Sequence, residues 1–124
     1  MITITIKMDT DVPLDYGKYG EVMFNLSKMF HEALANGLKT SKRADYSWTA
    51  VGKDVIVSFR PAENWRKYSN VPSSIIIREN MYIVIITDDF KVASKYVEKV
   101  IDIILNSPHL IYNVEITGGD CGQQ

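Results

Sequence analysis

His31 is the residue of this chain best suited to moving a proton near neutral pH, since an imidazole titrates at about 6.5. Phe24 lies seven positions before it, in a stretch where apolar residues recur at three and four. At 100° per residue the two side chains fall within about 20° of each other, and roughly 120–140° from the apolar stripe. They therefore share a flank that core packing does not require, with Gly20 and Ser27 beside them keeping it shallow. Such a flank serves as a partner surface, or offers the histidine for general acid–base work, or is an ordinary exposed histidine beside an incidental aromatic. Lys39, Lys42 and Arg43 follow closely and can bind a phosphate near His31, or form a solvated linker.

A second candidate is Trp65-Arg66-Lys67-Tyr68, which interleaves flat rings with positive charge. Single-stranded RNA recognition uses that combination, the rings for stacking and the cations for phosphate. The alternative is a tryptophan that plugs a small satellite core under its loop. These groups belong to a basic middle of the chain. Between Lys39 and Arg78 eight basic residues, Arg60 among them, meet three acids, a balance of +5 that leaves −6 for the rest. Lys39, Lys42, Arg43, Arg60, Trp65, Arg66 and Lys67 are accordingly the candidate RNA contacts, against the plainer reading of solvated loops and strand edges. Cys121 has no base near it in sequence and reads as a tail thiol. Asp88-Asp89 stands at a helix start, where carboxylates serve as caps. The sequence holds no phosphate-cradling glycine loop, nucleophile elbow or paired-histidine helix motif.

The elements that must position these residues follow from periodicity. Residues 2–8 alternate as a strand with one buried face, and 9–15 read as a loop around Pro13 with Asp15 as N-cap. Residues 18–35 form an amphipathic helix closed by Asn36-Gly37. Tyr46, Trp48 and Ala50 then alternate into a turn at Gly52-Lys53-Asp54, and Val55, Val57 and Phe59 complete a hairpin. Pro61 to Pro72 is a long connection, a length that in compact domains is often functional. A second hairpin is expected from 74–77 and 81–87 around Glu79-Asn80, with Ile83-Val84-Ile85-Ile86 as a central strand covered on both faces. Residues 90–105 give a second helix with Ile104 inward, and 110–116 a last strand. The order β-α-β-β-β-β-α-β implies an α+β ferredoxin-like sandwich, two helices on one face of a mainly antiparallel sheet with an extra hairpin strand. Residues 1–117 form the single domain, and 118–124 a flexible tail.

Composition bounds the rest. A chain of 124 residues, 46% hydrophobic and 23% charged, is ordinary for one globular domain. No apolar run approaches the ~20 residues that span a bilayer, and the alternating start is unlike a signal peptide, so a cytoplasmic protein without membrane contact is expected. One cysteine and two histidines exclude a disulfide framework and a structural zinc site, and no metal or cofactor is implied. A net charge of −1 argues against a generally basic nucleic-acid coat protein.

Val12-Pro13-Leu14-Asp15-Tyr16, leading into Val22-Met23-Phe24-Asn25-Leu26-Ser27-Lys28, resembles the start of the CRISPR RNA-processing endoribonucleases of the RAMP superfamily. Asp45-Tyr46-Ser47-Trp48, the segment 75–87, the helix from Phe90 and Asn106-Ser107-Pro108 correspond in order. The resemblance covers nearly the whole chain but only the first of that family's two ferredoxin-like domains; Gly118-Gly119 does not replace the glycine-rich loop of the second. It implies cleavage without metal by a tyrosine, a histidine and a lysine around the first helix, and family members without the histidine also occur. Phe24 stands at the tyrosine-like position and exchanges no proton, while His31 and Lys39 or Lys42 would take the other roles. His31 is thus the one catalytic candidate. The implied partner is single-stranded or hairpin RNA or a CRISPR-complex protein, without efficient ribonuclease activity.

Two further classes stay open: a protein-interaction module, including a stand-alone inhibitor that imitates a CRISPR subunit, and an oligomeric ferredoxin-like module, such as a homodimer, with a small-molecule site. If the aromatic-basic stretch contacts RNA, reversing the charge of Arg66 and Lys67 weakens binding and flattens its salt dependence. An unchanged slope in a salt titration would show that those two residues touch no phosphate.

Overall fold

The structure, a computed structural model, describes the backbone of residues 1–13, 16–61 and 76–120, and their side chains outside 12–19, 76–79 and 120. Alternating Ile2, Ile4, Ile6 and Met8 open β1 (Ile2–Pro13), which runs antiparallel to β5 (Ile76–Thr87) for its whole length. Between them in sequence come α1 (Tyr16–Leu34), β2 (Lys39–Lys42), β3 (Trp48–Val51) and β4 (Val55–Arg60); α2 (Phe90–Asn106) and β6 (Ile111–Asp120) follow. The six-stranded antiparallel sheet has the order β2-β3-β4-β5-β1-β6. This is the ferredoxin-like arrangement, β6-β1-β5-β4, extended by the β2–β3 hairpin on the β4 side.

Both helices pack on one face and touch each other, closing a single core. Met23, Leu26, Phe30 and Leu34 from α1 and Val100 from α2 meet Ile6, Met8, Val57, Phe59, Ile83 and Ile85 from the sheet. Phe59 stacks between Phe30 and Trp48 at centroid distances of 5.5 and 6.3 Å, so an aromatic row crosses the core from α1 to β3. Gly37 (φ 83°) ends α1 in the left-handed conformation that Asn36-Gly37 signals. Asp89 caps α2, its Oδ1 accepting from the Lys91 amide at 2.8 Å.

Several expectations need correction. The order of elements agrees, but the strands differ. Glu79-Asn80 is no turn: both residues pair with Thr10 and Asp9, so 76–87 is one strand and 9–13 continues β1 instead of looping. A polar pair looked like a turn because its ladder partners are polar too. Lys39–Lys42 is a strand, not a linker, and as a polar edge strand it carries no hydrophobic period. Ile83 and Ile85 are fully buried, but Val84 and Ile86 are half-buried on the face without helices, so this strand is covered on one side only. Ile104 is half-buried rather than fully enclosed. β6 continues through Gly118 and Gly119 to Asp120, three residues into the expected tail. Asp15 and the connection after Pro61 lie outside the described residues.

The two isoleucine-sized helical positions separate in stability. Leu26→Ala should cost about 2–5 kcal/mol, as full burial demands, and Ile104→Ala less than about 2 kcal/mol. Equilibrium urea unfolding of both variants measures this, and equal losses would contradict the burial difference.

Candidate functional site

A cleft of about 360 Å³ opens between α1 and the β2–β3 hairpin. Its floor is Trp48, which is 2% exposed, and one wall is the α1 flank of Phe24, Ser27, Lys28 and His31. The other wall comes from Lys42, Arg43, Tyr46 and Ser47, with Glu32 at the margin.

The hairpin turn is built by local polar chemistry. Asp45 Oδ1 accepts from the Ser47 amide at 3.0 Å and from the Ser47 hydroxyl at 2.6 Å. The amides of Arg43 and Tyr46 close the turn onto the Ser47 and Arg43 carbonyls. Tyr46 adopts a left-handed φ of 71°, costly for an aromatic residue, so it stands in the turn and not in the strand where alternation placed it. Those hydrogen bonds, led by the Ser47 hydroxyl, hold the Asp45 carboxyl below its ordinary range, with Arg43 adding to the effect.

Ser27 ties this hairpin to α1 twice. Its hydroxyl donates to the Tyr46 carbonyl at 2.6 Å, and its own carbonyl accepts from Trp48 Nε1 at 3.1 Å. Its side chain is therefore buried rather than leaving open space on the flank. The Tyr46 ring lies beside α1, edge-on to Phe24 at 5.8 Å, and its hydroxyl sits 3.8 Å from where a Cβ at Gly20 would be. Phe24 remains 50% exposed.

His31 is half-buried. Its Nε2 and the Thr40 hydroxyl are hydrogen-bonded at 3.0 Å, and its ring stands edge-on to Trp48 at 5.2 Å. Burial lowers its pKa, and the Lys42 ammonium lowers it further, with Glu32 opposing weakly.

The structure thus brings Phe24, His31, Lys42 and Arg43 together, as the helical spacing implied. It does not bring Lys39 or Arg60 to them. Thr40, Trp48 and Phe59 face the helices, so their strand neighbours Lys39 and Arg60 point to the opposite face of the sheet. Trp65, Arg66 and Lys67 lie outside the described residues. Lys28, Tyr46 and Ser47 were missed as site residues. Lys28 sits one turn from Phe24 at i+4, a signal that was available; Tyr46 enters only through a turn conformation. Among the described residues no three His, Cys, Asp or Glu side chains converge as a metal site requires, and no helix is long and apolar enough to cross a membrane.

Neither a family model nor a curated protein nor a solved structure matches the chain.

The lowered His31 pKa has a definite sign. The unfolded chain protonates this histidine near 6.5, above the folded value, so folding stability held at higher pH declines as pH falls through about 6.5 toward the folded pKa. Imidazole NMR should place the His31 midpoint below about 6.5, and Lys42→Gln should raise it. A midpoint at or above the ordinary value would contradict the buried, cation-flanked geometry.

Proposed function

We propose that this protein binds RNA, with the α1–β2–β3 cleft taking a nucleotide, and that it does not cleave RNA efficiently. One observation carries the reading: Lys28, Lys42 and Arg43 line one cleft with the half-exposed Phe24 ring, and none of them makes an ion pair among the described residues. Lys28 and Lys42, with Arg43 beside the Asp45 carboxylate but in no close ion pair, are available to phosphate, and the half-exposed Phe24 ring is available to a base. The cleft volume is within the usual range for small-ligand sites, about 300–1,000 Å³, which suits one nucleotide rather than a duplex. Glu32 at the margin and the −1 net charge limit binding to this locality.

Cleavage through the 2′-hydroxyl needs a proton acceptor and a proton donor, each contributing about 10²–10⁴-fold. His31 can be one. Phe24 can be neither and His109 does not line this cleft; the Tyr46 hydroxyl sits against Gly20, which leaves Glu32 or a lysine to supply the second role. The resemblance to the RAMP endoribonucleases favours CRISPR repeat RNA, or a CRISPR complex that holds it, as the partner.

Fluorescence anisotropy with labelled single-stranded repeat RNA across a salt series tests the binding. Lys42→Glu with Arg43→Glu removes two phosphate contacts, so the slope of log affinity against log salt should flatten by about 1.4. No binding at low salt, or an unchanged slope, overturns the proposal. Incubation of excess protein with repeat hairpin RNA in EDTA should leave it intact; site-specific cuts that vanish in His31→Ala would make His31 catalytic.

A further inference from the structure

The β6 side of the molecule has the opposite character. α2 packs over β5 and β1, and neither helix packs closely on β6. Ile103 faces the groove toward α1, with Met29 and Ala33. About 160° round the helix from it stand Ile101 and Leu105, on the flank away from α1. Ile116 pairs with the buried Ile6 and so faces the helix layer, yet it is 48% exposed; Val114, by alternation on the same side, is also exposed. Ile101, Leu105, Val114 and Ile116, all exposed, form an apolar shelf there.

The shelf borders an open strand edge. β6 pairs only with β1 among the described residues, so its outer N–H and C=O groups can receive another strand. The two edges of the sheet are guarded very differently. β2 has lysines at two of its four positions, Lys39 and Lys42, a usual barrier to strand addition. β6 has neither lysine nor proline. Its irregularity is a bulge at Asn113 (φ 50°), where Asn113 Nδ2 donates to Asp9 at 3.0 Å, and the segment beyond it stays regular.

We infer that β6 pairs antiparallel with β6 of a second copy of this chain, joining two sheets about a two-fold axis. The occupant follows from self-complementarity. Centred on Ile116, the pairing sets Ile116 against the partner's Ile116, Val114 against the partner's Gly118 and Glu115 against the partner's Thr117. The one charged residue of this segment then meets a threonine, so no like charges oppose, and glycine leaves room for valine. An isologous contact also lays each apolar shelf against its own copy. This inference is independent of RNA binding, because the β6 shelf and the cleft share no residue.

Light scattering of the full chain over a dilution series should show a monomer–dimer equilibrium. Ile116→Lys, a change at an exposed edge position, should weaken it about tenfold or more while circular dichroism and melting temperature stay near those of the parent. A second variant guards against misfolding: Ile116→Cys in a Cys121→Ser background should cross-link to a dimer on mild oxidation far faster than Thr49→Cys on the helix-free face. A chain that remains monomeric at every concentration overturns the inference. So does a dimer that Ile116→Lys leaves intact, or cross-linking no faster at 116 than at 49.

Discussion

The width of the helical layer governs what this molecule can offer to partners. Six strands about 4.8 Å apart make a sheet roughly 29 Å wide, whereas two helices about 10 Å across cover roughly 20 Å of it. The layer sits over β4, β5 and β1, where the fully buried side chains concentrate, and both margins of the sheet project beyond it. At one margin the β2–β3 hairpin bends back to α1 through Ser27 and leaves a cationic, aromatic cleft. At the other, neither helix packs closely on β6 among the described residues, and Val114 and Ile116 are exposed. A single mismatch of dimensions thus generates two surfaces of unlike chemistry.

The basic bias of the middle of the chain divides along the same geometry. Strand alternation sends Lys42 toward the helix side and Lys39 and Arg60 to the bare face. A local count of charges therefore overstates the field at any one site. What reaches the cleft from that segment is Lys42 and Arg43, joined by Lys28 from the helix. The same partition adds to the histidine's environment: burial against Trp48 lowers its pKa first, and Lys42, sent to the helix side, lowers it further.

Features with a strong period were legible in the sequence. The α1 stripe, the Asn36-Gly37 stop, the Asp89 cap and the β3–β4 hairpin all stand where spacing put them. The proximity of Phe24 and His31 needed only helical geometry. Polar strands were not legible, because an edge strand such as Lys39–Lys42 and the Glu79-Asn80 rung of β5 bury nothing that hydrophobic patterning can detect. The site's framework was hidden for a different reason. Ser27 contacts residues 19 and 21 positions away, and a single serine on a helix gives no sign of such distant partners.

The edge-on contact between His31 and Trp48 gives the cleft an optical reporter of its own. A protonated imidazole against an indole quenches its emission, whereas the neutral ring does so far less. Trp48 is sealed from solvent on its core side by Phe59 and is anchored through Nε1, so its surroundings vary chiefly on the side facing the cleft. Protonation of the histidine, or a ligand entering above it, changes the light this one indole emits.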